Sequence, residues 1–305
     1  AALRHGTFAP YKEFTMANTE TSNHLSQVQT QSYWENGFLC LIRAISPQQR
    51  QDWRAQLETI EGDWLDNGLP RALNIHTRVN AHVVMPLAYE IAAHSAILDV
   101  VEGILGPDIL LYSTEFSIKE PRTKHVVTMH QDLAYWGLGE IDGILTAWLA
   151  LSPATPQSGC MDFVKGSHKN PIVPHEDSFN ALNLQLRGQK IKVDMAEEDK
   201  FSGALATGEI SLHHGLMIHG SGANTSHDRR IGVVMRFLSP HVKKPNNAPD
   251  YGVPMRGRCD TGNFTLCDAP KGLFHPDNLL LYEEIRTEQA KVMMAGAKGN
   301  AERYA

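Results

Sequence analysis

The chain has few cysteines, no long apolar run and no long run of basic residues. Four cysteines occur among 305 residues, and no two of them form a C-x-x-C pair. Cys259 and Cys267 could bridge a loop, but so few cysteines favour a reduced protein in the cytoplasm. No stretch of about 18 apolar residues is found, so a transmembrane helix is not expected.

Charge narrows the range of partners. The formal net charge is −6, from 28 basic and 34 acidic residues. No basic run is long enough to follow a phosphate backbone, so nucleic acid is not expected as a partner, and neither is a membrane. Residues 1–15 resemble a vector-derived tag ahead of Met16, and residues 16–305 are expected to form a single domain. The sequence does not indicate an oligomeric state.

The N-terminal third is predicted to be largely helical. A helix is expected from Ser26 to Glu35, and a strand over residues 37–43. Ser46-Pro47 places a capping side chain before a proline at the first helical position, which predicts a helix from there to about residue 65. A loop over residues 66–80 and a further helix over residues 87–105 complete this third.

Strand patterns dominate residues 109–237, where Gly, Pro, Asn and Ser separate the apolar runs. A polar segment over residues 171–201 interrupts them, and it could either cover a binding site or form a solvated surface loop. Residues 246–273 are expected to form loops, and residues 279–295 a terminal helix. The apolar stripe of that helix is expected to consist of Leu280, Leu281, Ile285 and Val292.

The most informative motif is His130-Gln131-Asp132, followed far downstream by His219 and Arg230. If the strand predicted at Thr128 continues through the motif, His130 and Asp132 face one side and Gln131 the other. Two imidazoles and one carboxylate on one side of a metal suit non-haem Fe(II) and oxygen chemistry. One such triplet among 15 histidines is a weak signal by itself. His213-His214 is a less favoured source of ligands, because neighbouring strand residues diverge.

Three sequence blocks occur in a fixed order around these residues. They are MHQDLAYWGL at residues 129–138, AWLALSPATPQSGCMDFVKGSHK at residues 147–169, and HGSGANTSHDRR at residues 219–230. Together they resemble the phytanoyl-CoA dioxygenase-like (PhyH) family of Fe(II)/2-oxoglutarate-dependent oxygenases, over about residues 33–237. The resemblance implies a mainly β protein with flanking helices and a double-stranded β-helix core. This jelly-roll, cupin-like core would span about residues 109–240, between the helical N-terminal third and C-terminal loops and a helix.

The resemblance also implies roles for individual residues. His130, Asp132 and His219 match the family's iron ligands, and Arg230 matches the arginine that binds the far carboxylate of 2-oxoglutarate. A planar guanidinium suits that task because it binds a carboxylate through two hydrogen bonds. Arg229 is the competitor, but adjacent strand residues face opposite ways, and the spacing from His219 favours Arg230. Four further residues match positions near the cosubstrate: Ser221, Trp148, Gln131 and Arg78.

The substrate is the least specified part of the function. Glu115 on a predicted strand, with Tyr135 and Trp136 after the metal motif, could bind a cationic group. Alternatively, Glu115 pairs with Lys119 or Arg236, and the aromatic side chains simply pack.

The implied reaction consumes 2-oxoglutarate and O2, releases succinate and CO2, and oxidises a small organic substrate. Asp132 stands where halogenating relatives have a small residue, which favours hydroxylation. A cupin-type metal-dependent hydrolase or isomerase, and a non-catalytic barrel that binds a small acid, remain as alternatives.

Overall fold

A computed structural model describes residues 24–65, 68–139, 141–176, 182–184, 190–191, 199–245 and 250–293. The suggested tag lies outside these ranges, as do most of the polar segment 171–201, part of the loops at 246–273 and the last two residues of the predicted terminal helix. No helix among the described residues combines the length and apolar composition needed to cross a lipid bilayer. All four cysteines are free thiols, so Cys259 and Cys267 form no bridge.

The first two helices begin and end where their capping residues predict. The side chain of Ser26 accepts a hydrogen bond from the backbone of Gln29 and forms a capping box, and Gly37, with a φ of 86°, ends the helix. Ser46 caps the second helix in the same way, ahead of Pro47. The elements of this region are α1 (Gln27–Asn36), β1 (Phe38–Arg43) and α2 (Pro47–Trp64).

The predictions for residues 66–105 are partly wrong. The expected loop contains a helix, and the expected single helix is divided, giving α3 (Leu73–Arg78), α4 (Ala81–Val84), α5 (Pro86–Ala92) and α6 (Ser95–Leu105). Asn80, with a φ of 46°, separates α3 from α4, and Pro86 starts a new helix because it lacks a backbone N–H. All four residues of α4 and four of the seven residues of α5 are buried, so apolar periodicity did not reveal the breaks.

The strands form two main sheets and a short ribbon. The seven-stranded sheet has the order β1-β9-β4-β11-β2-β12-β13, the four-stranded sheet β3-β10-β5-β8, and the ribbon β6-β7. Every pairing is antiparallel except that of β12 with β13. Two facing antiparallel sheets of this order confirm the predicted jelly-roll class. The bounds are β2 (Ile109–Lys119), β3 (Val127–His130), β4 (Ile144–Ala150), β5 (Met161–Val164), β6 (His175–Glu176), β7 (Lys190–Ile191), β8 (Lys200–Gly203), β9 (Glu209–His214), β10 (His219–Ser221), β11 (Arg230–Leu238), β12 (Tyr251–Arg256) and β13 (Thr265–Leu266), with α7 at Leu133–Trp136 and α8 at Pro276–Met293.

Side chains on opposite faces of the seven-stranded sheet have different surroundings: one face packs against the helices, and the other lines a cavity. On β11, Ile231, Val233, Met235 and Phe237 pack in one cluster with side chains of the helices. The intervening Arg230, Val234 and Arg236 line a cavity between the two sheets. The terminal helix α8 lies over this cavity and contributes Gln289 and Met293 to its wall. Its predicted stripe is wrong at Leu280, which is exposed, whereas Tyr282 and Ile285 are buried.

Candidate metal centre

His130, Asp132 and His219 meet at one end of the cavity. His130 ends β3 and His219 begins β10, and the two are direct partners across the antiparallel pair. One potential ligand atom from each of the three residues lies within 4.8 Å of the others, and all three side chains are buried. The structure therefore brings the three predicted metal ligands together in one cluster.

The backbone route to Asp132 differs from the predicted one. The strand ends at His130, and Asp132 has helical angles (φ −58°, ψ −43°) immediately before α7. The backbone N–H of Leu133 donates to the carbonyl of Gly215 at 3.0 Å and fixes this turn. Asp132 thus reaches the centre from a helical turn, and strand alternation is not the reason that it faces His130.

Backbone carbonyls orient both histidines. Nδ1 of His130 lies 2.9 Å from the carbonyl oxygen of Thr128, and Nδ1 of His219 lies 2.9 Å from that of Met217. A carbonyl can only accept, so each Nδ1 carries the proton and each Nε2 keeps its lone pair for a metal. Burial and the neighbouring imidazoles hold the pKa of His219 well below its usual range, so the ring is neutral as a ligand must be.

The two oxygens of Asp132 have different surroundings. Oδ1 is 3.4 Å from Nε2 of His130, whereas Oδ2 accepts a hydrogen bond from Thr146 Oγ1 at 2.9 Å. Burial raises the pKa of Asp132, but Arg236, His130 and His213 outweigh it and hold that pKa well below its usual range. The group is therefore a carboxylate, with Thr146 directing Oδ1 toward the two histidines.

We expect Thr146→Val to weaken Mn(II) or Fe(II) binding by about 10- to 100-fold, the range seen when a residue that orients a ligand is lost. Valine keeps the buried shape but removes the hydroxyl that holds Asp132. The measurement is an anaerobic metal titration against a competing chelator, with the exposed Thr59→Val on α2 as control. Equal affinities in Thr146→Val and the wild-type protein would show that this hydrogen bond does not position the carboxylate.

Arg230 and Arg229 point in opposite directions, as alternation predicts. Arg230 is buried, with its guanidinium 5.3 Å from the ring centre of Trp148 and a single weak hydrogen bond, 3.5 Å to Ser117 Oγ. Burial lowers its pKa to about 10. Arg229 lies at the surface and pairs with Glu61 at 2.8 Å and Glu120 at 2.9 Å. Within the described part of the chain, no carboxylate pairs with Arg230.

Ser221, Trp148 and Arg78 line the same cavity, whose volume is about 180 Å³. Trp148 lies so close to β11 that a Cβ on Gly232 would stand 1.9 Å from its ring, which explains the glycine there. Arg78 ends α3 and donates to the carbonyl of Leu184 at 2.9 Å. It is therefore a wall residue and not an exposed loop arginine.

Gln131 does not line the cavity, so its predicted place beside the cosubstrate is not what the structure shows. Its amide nitrogen donates to the carbonyl of Leu216 at 2.9 Å, and its amide oxygen accepts from the backbone of Val173, also at 2.9 Å. The Gln131 side chain points away from the metal ligands, as alternation predicted, and holds the segment after β5 to the segment before β10.

Glu115, Tyr135 and Trp136 line the cavity, but Glu115 is not an isolated carboxylate. Its Oε2 accepts from Arg236 at 3.3 Å, and the Arg236 guanidinium stacks 5.2 Å from the ring centre of Trp136. Of the two interpretations of Glu115, the ion pair within the protein is the one observed, and its partner is Arg236, not Lys119. The case for a simple cationic substrate loses its main support.

Two residues close to the site were missed or undervalued from the sequence. Lys119 is buried beside Arg230, and it shares the odd-numbered face of β2 with Glu115 and Ser117, a signal that strand alternation already held. His213 lines the cavity with its ring centre 4.3 Å from that of His219, and its Nε2 is 3.6 Å from Asp132 Oδ2. His214 instead faces Asp142 at 3.1 Å, so the two neighbours diverge as expected.

Comparison with known proteins gives consistent matches. The family model described as "Phytanoyl-CoA dioxygenase (PhyH)" matches residues 33–232. The peroxisomal phytanoyl-CoA dioxygenase of Bos taurus is 26% identical over 255 residues, which cover 76% of this chain and 74% of that protein.

Solved structures of non-haem iron enzymes are similar over most of the chain. One described as "non-heme monooxygenase; ThoJ apo" is 28% identical, has a TM-score of 0.78, and covers 88% of this chain and 98% of its own. Another, described as "CytC3 with Fe(II) and alpha-ketoglutarate", is 16% identical with a TM-score of 0.62, and covers 84% and 98% of the two chains. The second similarity concerns the fold alone.

Proposed function

The chain belongs to the phytanoyl-CoA dioxygenase (PhyH) family, and on this premise we propose that it hydroxylates an unactivated C–H bond of a small organic molecule. The family is one of Fe(II)- and 2-oxoglutarate-dependent oxygenases. The observation that carries the proposal is one cavity with two complementary groups in its wall. His130, Asp132 and His219 form a cluster of metal-ligating side chains, and the buried Arg230 lines the same cavity with no carboxylate partner among the described residues.

The donor set fits Fe(II). Two neutral imidazoles and a carboxylate would occupy three positions and leave three for exogenous ligands. When bound, iron with 2-oxoglutarate and O2 supplies the oxidising chemistry, in which one oxygen atom enters the substrate and the other enters succinate as CO2 leaves. In our proposal His130, Asp132 and His219 hold the metal, and Arg230 binds the far carboxylate of 2-oxoglutarate. Ser221 and Trp148 form the wall between them.

The presence of Asp132 favours hydroxylation over halogenation. Halogenating relatives have a small residue at this position, whereas this chain has a carboxylate whose Oδ1 faces His130 while Thr146 holds Oδ2. Burial of the site serves the reaction too, because it limits the access of bulk water.

The substrate end of the cavity is polar and aromatic. Glu115 and Arg236 form an ion pair in its wall, and the ring of Trp136 stacks on the Arg236 guanidinium. Ser113 Oγ accepts a hydrogen bond from Arg236 at 3.4 Å. These groups suit a small molecule that carries its own polar groups better than a long hydrocarbon chain. Arg78 lines the same cavity, and in our proposal it lies near the cosubstrate.

We expect anaerobic addition of Fe(II) and then 2-oxoglutarate to produce a weak visible charge-transfer band. Oxygen should then yield succinate, faster with a substrate chosen from a panel of amino acids, amines, phosphonates and terpenoid acids. A product heavier by one oxygen atom supports hydroxylation. Iron binding without a band or succinate would contradict the proposal and point to a hydrolase, an isomerase or a binding barrel.

A further inference from the structure

Lys119 is a buried lysine at the Arg230 end of the cavity. It is the last residue of β2, it is 1% exposed, and its direct partner across the sheet is Arg230. No carboxylate among the described residues pairs with it. Two buried basic side chains thus stand side by side with no carboxylate partner among the described residues, an arrangement that favours binding of a negatively charged group.

Three oxygen atoms surround the amine. Lys119 Nζ donates to Ser221 Oγ at 2.6 Å, to the carbonyl of Ser221 at 3.2 Å, and to the carbonyl of Gly222. An ammonium has three N–H donors and no acceptor, so this set matches the protonated form. Because Ser221 Oγ accepts from Lys119, its own hydrogen must point elsewhere, and Ser221 faces the cavity.

We propose that Lys119 is a positioning residue for the cosubstrate, which as an ammonium fixes the Ser221 hydroxyl as a donor toward the carboxylate bound by Arg230. This inference rests on the proposed function. Lys119 itself lies behind Ser221 and does not touch the ligand. Its effect on binding passes mainly through that hydroxyl.

The protonation of Lys119 should be coupled to binding. Burial and, next, Arg230 lower the pKa of Lys119 to about 6, while Cys160 and Asp162 act in the opposite direction. The groups that contact the amine, on Ser221 and Gly222, are uncharged. A carboxylate on Arg230 adds negative charge nearby and raises this pKa, so binding takes up a proton. Affinity should therefore be greatest below about pH 6 and fall as pH rises, by at most about tenfold per pH unit.

The first test is a double-mutant cycle on 2-oxoglutarate affinity, measured by calorimetry on the Mn(II)-loaded protein. We expect Lys119→Met and Ser221→Ala each to weaken binding by about 10- to 100-fold, the effect of losing a charge-assisted hydrogen bond. In the Ser221→Ala background, Lys119→Met should cost less than about threefold, because the hydroxyl through which it acts is gone. Lys124→Met, at an exposed lysine, is the matched control.

The second test does not depend on a buried methionine being tolerated. Lys119→Arg keeps a permanent cation, so it should retain most of the affinity but lose its pH dependence. Calorimetry at pH 7.5 in buffers of different ionisation enthalpy should show proton uptake in the wild-type protein and much less in Lys119→Arg.

The outcomes separate the two proposals. A wild-type protein that does not bind 2-oxoglutarate contradicts the proposed function. Normal binding in the wild type with equal affinity in Lys119→Met overturns only the role of Lys119. An undiminished Lys119→Met effect in the Ser221→Ala background, or unchanged proton uptake in Lys119→Arg, also overturns it.

Discussion

His219→Ala should bind Fe(II) more than about 100-fold more weakly than the wild-type protein and form no succinate. Loss of a residue that only orients a ligand costs about 10- to 100-fold in metal affinity, so loss of the ligand itself should cost more. His130→Ala should behave alike, since its ring lies 4.2 Å from that of His219 in the same cluster. Both variants should remain folded, because the backbone pairing of β3 with β10 does not involve the imidazoles.

The measurements are anaerobic metal titration, succinate formation and thermal unfolding. His241→Ala is a suitable control, since His241 is largely exposed and far from the cluster in the sequence. A double variant, His213→Ala with His219→Ala, tests whether the adjacent imidazole of His213 takes over as a ligand. Wild-type iron stoichiometry and turnover in both single variants would mean that the metal lies elsewhere.

Local rules predicted those parts of the fold in which one interaction dominates. Capping residues gave the starts of α1 and α2, and alternation gave opposite directions to Arg229 and Arg230. Glu115 and Ser117, two residues apart on β2, likewise both line the cavity, as alternation requires. In these elements one face is buried against a defined neighbour, so the sequence pattern predicts which way each side chain points.

Other features depend on tertiary contacts that the sequence does not display. The strand at His130 ends because Leu133 bonds to Gly215 from a distant loop, which gives Asp132 a helical conformation. All four residues of α4 are buried, and apolar residues continue from α5 into α6, so the apolar pattern does not reveal where these helices break. Lys119 shows the converse, because alternation puts it on the same face of β2 as Glu115, while the expectation that lysine is exposed hid its importance.

Arg230→Ala should raise the dissociation constant for 2-oxoglutarate by about 10- to 100-fold. A hydrogen bond to a charged group is worth roughly 1.5–3 kcal/mol, and about 1.4 kcal/mol corresponds to a factor of ten. The contact should be at the strong end, because Arg230 is 1% exposed and no carboxylate among the described residues competes for it. Arg230→Lys should recover only part of the loss, since an ammonium cannot form the paired hydrogen bonds of a guanidinium.

Arg229→Ala is the matched control for Arg230→Ala, at the residue immediately before β11. It removes surface ion pairs with Glu61 and Glu120, so it should lower the free energy of unfolding by at most about 1 kcal/mol per pair. It should leave cosubstrate affinity unchanged, because its side chain lies on the opposite side of the sheet from the cavity. Calorimetric binding of 2-oxoglutarate to the three Mn(II)-loaded variants, with thermal unfolding of each, makes the comparison. A large loss of affinity in Arg229→Ala with none in Arg230→Ala would mean that β11 is shifted by one residue and that the cosubstrate pocket is wrongly placed.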